Sequence, residues 1–239
     1  MNGTGLVDED QMRFSFRYCL ARIGERFNEN QIRNAYGVAK YLEIGHLMNK
    51  MRWPVNRPGV WAKDRQELFE MVSREICHRN VLYLEFGVWR GGATRYWANA
   101  LTNPNSKIHG FDSFEGLPET WNDFRPRGYF STGGEIPMID DSRVEFFKGW
   151  FSETLTTYKV PEHEVLLLNL DADLYSSTMD VFKVIGRYVV PGTYLYFDEF
   201  NDPDHELRAF VEFAAASGRK FSMRGATPCF TNVVFQCNG

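Results

Sequence analysis

Four short apolar runs in this chain each stop at a carboxylate: Val81-Leu-Tyr-Leu-Glu85, Ile108-His-Gly-Phe-Asp112, Val165-Leu-Leu-Leu-Asn-Leu-Asp171 and Tyr194-Leu-Tyr-Phe-Asp198-Glu199. Runs this short and this continuously hydrophobic, separated by helix-like segments, read as parallel strands buried on both faces. Strand and helix alternate from Val81 onward: strand 81–88, helix 92–102, strands 107–112 and 144–148, helix 152–158, strand 165–171, helix 176–189, strand 193–198 and helix 204–217. Two strands close the pattern, 220–225 and 230–236, and the short Gly225-Ala-Thr-Pro-Cys229 connection makes them a hairpin. The pattern predicts an α/β, Rossmann-like, seven-stranded and mostly parallel sheet, with helices on both faces and a terminal antiparallel hairpin strand. Before it, residues 8 to 80 look helical, with Leu68, Phe69, Val72 and Ile76 at helical spacing. Pro54 and Pro58 interrupt that stretch and mark a joint between an N-terminal helical cap, 1–80, and a main domain, 81–239.

In an open sheet of this kind the ligand sits beyond the carboxyl ends of the strands, so the four acidic strand ends are expected on one rim. Burying unpaired carboxylates is costly, and such a collection implies a cationic ligand, a metal or hydroxyl groups that donate to it.

Composition narrows the partners. The 239 residues carry 27 basic and 31 acidic side chains, a formal charge of -4, and offer no polycationic surface for a phosphate backbone, which excludes nucleic acid. Cys19, Cys77, Cys229 and Cys237 are scattered without a C-x-x-C pair, as free thiols in a reducing compartment are. No basic head with an apolar stretch opens the chain, and no run approaches the length of a membrane span. The expected setting is the cytoplasm, away from membranes, and the helical N-terminus could pair with a second copy in a homo-oligomer.

Three motifs carry the chemistry. Glu85-Phe-Gly-Val-Trp-Arg-Gly91-Gly92 joins the first strand to its helix; glycine permits a sharp turn and close approach of a ligand. Trp89 stands where a dinucleotide fingerprint needs its second glycine, which argues against NAD. Glu85 suits a ligand with a cationic ammonium group. Asp112, one crossover later, is placed to accept from a ribose diol, or simply to stop the strand in an Asx turn. Finally, Asp171 and the pair Asp198-Glu199 end neighbouring strands, and an all-oxygen acid set without His or Cys favours a hard divalent ion such as Mg²⁺. Ser176 or Ser177 is expected to cap the following helix, and Asp202 and Asp204 to act as caps before the next.

Gly87 to Gly92, Asp112-Ser-Phe-Glu-Gly-Leu-Pro118, Gly149-Trp-Phe-Ser-Glu-Thr-Leu155, Asp171-Ala-Asp-Leu-Tyr-Ser-Ser-Thr-Met-Asp180 and Asp198 run in order from about residue 81 to 200. As a set they resemble the macrocin O-methyltransferase (TylF-like) family of class I S-adenosylmethionine-dependent methyltransferases, which methylate sugar hydroxyls of antibiotics and related glycosides. The resemblance implies S-adenosylmethionine as methyl donor, with Glu85, Gly87, Arg90 and Gly91 around its methionine and ribose portion. Asp112 would meet the ribose, Ser113 and Trp150 the adenine, and Asp171, Asp198 and Glu199 would hold Mg²⁺. Two departures stand out: Asp171-Ala-Asp173 where the family more often has Asp-Gly-Asp, and Glu199 where it has a second aspartate.

The expected function is therefore Mg²⁺-dependent O-methylation of a small-molecule glycoside or sugar acceptor, with Asp171 as both metal ligand and catalytic base. A catechol-type O-methyltransferase and a non-catalytic S-adenosylmethionine-binding module are the rivals. Residues 115–143, long for a crossover and holding Trp121, Phe124, Tyr129 and Phe130, are expected to form a lid over donor and acceptor.

Overall fold

The computed structural model describes residues 29–51 and 61–239. The helical expectation for residues 8–28 and the joint around Trp53 to Pro58 lie outside the described residues. The chain divides into two compact units, Met1–Glu43 and Ile44–Gly239, and the sheet lies wholly in the second.

Seven strands form one sheet: β1 (Val81–Phe86), β2 (Lys107–Asp112), β3 (Val144–Lys148), β4 (Val165–Leu170), β5 (Tyr194–Phe197), β6 (Phe221–Ala226) and β7 (Val233–Cys237). Their order is β3-β2-β1-β4-β5-β7-β6. The first five are parallel, and β7 inserts antiparallel between β5 and β6. Six helices accompany them among the described residues: α1 (Glu29–Lys50), α2 (Arg65–Ile76), α3 (Gly92–Ala100), α4 (Phe151–Thr157), α5 (Tyr175–Ile185) and α6 (Glu206–Ser217). None of them is long and apolar enough to cross a membrane.

The continuous apolar runs are explained by burial on both faces. In β1, Val81 and Tyr83 pack with Leu68, Phe69 and Val72 of α2 and Trp97 of α3, while Leu82, Leu84 and Phe86 pack with Val181 and Ile185 of α5 and Phe210 of α6. Alternate side chains thus feed opposite layers, as the period of a strand requires. Ile44 and Met48 of α1 join the second layer.

Element ends differ from the sequence-based expectation where backbone geometry intervenes. β1 stops at Phe86 rather than 88 because Gly87 turns with φ +96°. The hairpin connection lies later than expected, since β6 runs on to Ala226 and a short 3₁₀ turn, Pro228–Phe230, precedes β7. Neither Ser176 nor Ser177 caps α5. Its N-cap is Leu174, without a side-chain cap bond, while Ser177 is buried and Ser176 Oγ donates to Glu119 Oε1 at 2.6 Å. For α6 the N-cap is His205, not Asp202 or Asp204.

The sheet order puts a topological switch point between β1 and β4, where successive crossovers leave in opposite directions. An open α/β sheet forms its ligand crevice at such a point.

Candidate functional site

The parallel ladder continues one residue past each strand end. Gly87 N–H donates to Phe111 O (3.0 Å), Asp171 N–H to Phe86 O (3.0 Å), Asp198 N–H to Leu170 O (3.2 Å) and Gly149 N–H to Asp112 O (3.0 Å). These bonds align the acidic strand ends in one layer. Above it opens a cavity of about 580 Å³, a size typical of small-molecule sites. Glu85, Gly87, Arg90, Asp112, Ser113, Trp150, Asp171, Asp198 and Glu199 all line it. Gly91 does not; it is the N-cap of α3, with φ +73°, and Gly92 lines the cavity beside it.

Glycine at 87 has a specific cause. A Cβ there would stand 1.8 Å from the carbonyl oxygen of Asp171, so the turns after β1 and β4 touch through a position only glycine can fill. Glu85 is 1% exposed, and its Oε2 accepts from Thr94 Oγ1 (2.6 Å) and Tyr83 OH (3.0 Å). Asn169, opposite Glu85 on β4, donates to the same Tyr83 hydroxyl at 2.8 Å. Burial pushes the Glu85 carboxyl up to about 8, against the pull of those two hydroxyls. An acid so placed is mostly neutral when nothing cationic faces it.

Asp112 does more for the protein than a ligand contact would require. Oδ2 accepts from the N–H groups of Val88 (2.8 Å) and Trp89 (2.7 Å), and Oδ1 from Phe114 (2.7 Å). Both the glycine turn and the Asx turn hang on this one carboxylate, which leaves Oδ1 one lone pair for a further donor. Ser113 Oγ accepts from Glu115 N–H (3.1 Å) and donates to Gly116 O (3.3 Å). Trp150 is the N-cap of α4.

In the same cavity wall, carboxylate oxygens of Asp171, Asp173 and Glu199 all lie within 4.8 Å of one another. Each carboxyl is raised, by burial first and then by its acidic neighbours: Asp171 well above its usual range, Asp173 to about 7 and Glu199 to about 9. Glu199 Oε2 is buried with no hydrogen-bond partner. Mutual repulsion, an orphaned oxygen and a donor set of oxygen alone fit a hard divalent cation, and no thiolate or imidazole is present to favour zinc. Asp198, also expected among the metal ligands, lies outside that 4.8 Å set but lines the same cavity, and of the acidic neighbours it raises all three carboxyls most. Its Oδ1 accepts from Tyr196 OH and from Asn232 Nδ2 (2.9 Å), and Arg65 Nη1 lies 3.4 Å from both of its oxygens.

Sequence reasoning named Asp173 only as part of a motif and did not single out Arg65, Asn232, Tyr83 or Asn169. Asn169 had a signal, a polar residue inside the apolar run of β4. Arg65 and Asn232 had none, since each reaches Asp198 from a distant element.

Residues 115–143 contain no helix or long strand and are tied by backbone bonds to one another and to Phe114. Leu117 N–H donates to Tyr129 O (2.9 Å), Gly128 N–H to Leu117 O (2.9 Å) and Gly134 N–H to Phe114 O (2.9 Å). The segment contributes Gly116, Leu117, Pro118, Glu119 and Phe130 to the cavity wall. Trp121, Phe124 and Tyr129 do not reach it.

Residues 137–224 match the family model described as macrocin-O-methyltransferase (TylF), which bears out the resemblance carried by the motifs. The chain is 28% identical over 190 residues to a demethyldecarbamoylnovobiocin O-methyltransferase of Streptomyces niveus, covering 68% of this chain and 72% of that protein. It is 29% identical over 143 residues to a mycinamicin III 3''-O-methyltransferase of Micromonospora griseorubida, covering 50% of this chain and 55% of that one. Among solved structures, the calicheamicin methyltransferase CalS11 aligns with TM-score 0.54 at 22% identity, over 72% of this chain and 76% of its own. The O-methyltransferase NovP aligns with TM-score 0.53 at 21% identity, over 73% and 78%. These two show the fold. The enzyme class expected from the sequence is the class of the matched family and of the curated relatives.

Proposed function

We propose that this chain transfers a methyl group from S-adenosylmethionine to a hydroxyl of a sugar or glycosylated natural product, with Mg²⁺ held at the acid cluster. One observation carries it: a single cavity, at the β1/β4 switch point, is lined both by a buried carboxylate suited to a cation and by three converging carboxylates. The curated relatives, named for O-methylation of glycosylated antibiotics, support the acceptor class.

The donor, when bound, would supply a methyl group on a positively charged sulfur, and a cation held by the acid cluster would supply positive charge that eases deprotonation of an acceptor hydroxyl. The chain's own residues do the rest. Glu85 offers a carboxylate to the donor's ammonium group, Asp112 offers the spare lone pair of Oδ1 to a ribose hydroxyl, and Arg90, Ser113 and Trp150 form the surrounding walls. The acceptor must be held so that its oxygen attacks in line: the O–C bond forms as the C–S bond breaks, and the hydroxyl proton leaves to a carboxylate. Sequence put both metal binding and base on Asp171. Asp173 stands in the same cluster, so Asp171 and Glu199 can hold the cation while Asp173 takes the proton. A carboxylate already neutralising a cation has little proton affinity to spare, and this favours dividing the two tasks. Asp198 then shapes the rim through Arg65, Tyr196 and Asn232 rather than binding the ion.

The test is methyl transfer to a panel of deoxysugar glycosides and a diphenol, with chelator and with added Mg²⁺. We expect turnover on a glycoside, loss with chelator, recovery with Mg²⁺, and a fall of about 10²- to 10⁴-fold in Asp173→Asn and in Asp171→Asn. Full activity in chelator together with full activity of both variants would overturn the metal-and-base assignment.

A further inference from the structure

We infer that Glu206, which lies behind the cavity and does not line it, is the positioning residue that sets the spacing of the two acid-bearing turns, an inference that rests on the function proposed above. Glu206 is the first residue of α6 and 0% exposed. Its Oε1 accepts from the backbone N–H groups of Ala172 (3.1 Å) and Asp173 (3.2 Å), and its Oε2 from that of Glu199 (3.2 Å). One carboxylate therefore ties the turn after β4 to the turn after β5. His205, the residue before it, accepts on Nδ1 from Tyr175 N–H at 3.2 Å, which fastens the start of α5 to the same point.

The need for such a tie follows from the backbone. The parallel ladder between β4 and β5 ends with Asp198 N–H on Leu170 O. Beyond it the N–H groups of Ala172, Asp173 and Glu199 have no strand to pair with, and buried donors left unpaired are costly. Asp173 also adopts a left-handed φ of +58°, which a non-glycine residue holds only when its surroundings impose it. Glu206 supplies both the acceptors and the imposition. The three side chains that converge to within 4.8 Å, Asp171, Asp173 and Glu199, stand on or next to the three tied peptide groups. The carboxylate of Glu206 thus acts on a cation only through the residues that would touch it.

Glutamine cannot replace it. An amide has one acceptor oxygen, so in Glu206→Gln either Glu199 N–H or the Ala172 and Asp173 pair faces an NH₂ donor. One turn is released and the other kept.

The experiment titrates Mn²⁺ into protein saturated with S-adenosylhomocysteine, by calorimetry and by electron paramagnetic resonance, and follows amide hydrogen exchange of the apo protein at 171–175 and 198–200. Leu207→Ala, a neighbour buried in the apolar layer of α6, serves as a control for loss of stability. In Glu206→Gln we expect cation affinity to fall about 10- to 100-fold, S-adenosylhomocysteine affinity to hold within about twofold, and exchange to quicken at one of the two turns while the other holds. Leu207→Ala should melt at least as early and bind the cation as wild type does. If Glu206→Gln does not fold, Glu206→Asp, with both oxygens on a shorter stem, carries the same test. Unchanged cation affinity in the Glu206 variant, or equal losses of cation and nucleoside affinity matching those of Leu207→Ala, would overturn the positioning role. Wild-type protein that takes up no Mn²⁺ would sink the metal site instead. Exchange alone then decides for Glu206: quickening confined to one of the two turns keeps it as the tie, and quickening at neither turn, or spread over the whole chain, removes it.

Discussion

Replacing Glu85 by glutamine should abolish a proton release that accompanies donor binding. The carboxyl of Glu85 lies 1% exposed beneath the cavity, and burial lifts it from 4.5 to about 8. At about 1.4 kcal/mol per pH unit, ionising it in the empty protein costs about 5 kcal/mol more than in water. At pH 7 about nine-tenths of the molecules then hold that proton. An ammonium group brought into the cavity favours the ionised carboxylate, so wild-type protein should release about 0.9 proton per S-adenosylmethionine bound at pH 7. In Glu85→Gln the amide oxygen can still accept from Thr94 and Tyr83, but no proton is available to leave. Calorimetry in two buffers of different ionisation heat, phosphate and Tris, gives the number directly. The same group shapes stability. Because its folded value lies above its unfolded value, its contribution is fully present below about pH 4.5 and is lost as pH rises through about 8. Empty wild-type protein should therefore weaken across that window relative to Glu85→Gln, and the donor should close the gap. Equal proton release by the two proteins, or none by the wild type, would refute the assignment of Glu85 to a cationic ligand.

Gly87→Ala places a methyl group 1.8 Å from the Asp171 carbonyl on a backbone with φ +96°; a loss of at least about 4 kcal/mol or insoluble protein is expected, and a denaturation midpoint near wild type would show that the two turns can part. Tyr158→Phe removes the hydroxyl that meets His109 Nδ1 at 2.7 Å. Its buried partner, held neutral with a pKa near 4 by burial and by Lys107, is left unsatisfied, so chemical denaturation should report about 1–3 kcal/mol. If residues 115–143 are a lid, limited proteolysis near Phe124, 74% exposed, should slow when S-adenosylhomocysteine and Mg²⁺ are added, and equal cutting rates would leave the segment a fixed wall.

The central strands β1, β4 and β5 were legible as apolar runs because they are buried on both faces; β2 and the half-exposed edge strand β3 were bounded at 107–112 and 144–148 as found. Asp112, Asp171 and Asp198 were legible for the same reason, each marking where burial stops, whereas Glu85 lies fully buried inside β1. Helix starts were not legible. Ser176 and Ser177 carry the usual capping chemistry, yet the N–H groups ahead of α5 are taken by Glu206 and His205 from another helix. Local pattern cannot disclose a partner 30 residues away. Asp112 was read correctly as an acid at the rim, while its three backbone donors appear only when the glycine turn folds over it. Arg65 and Asn232 come to Asp198 from α2 and from the approach to β7, through contacts that only the completed sheet creates.

The insertion of β7 between β5 and β6 sets an order of assembly. β6 leaves the ribosome before β7 and until then can pair only at Ala226, with the 61–62 segment, so one flank of β5 stays open as a bare hydrogen-bonding edge during synthesis. The same arrival delivers Asn232 to Asp198. Closing that edge and completing the acidic rim are thus one event, and a nascent chain halted before it would be both prone to aggregate and unable to work.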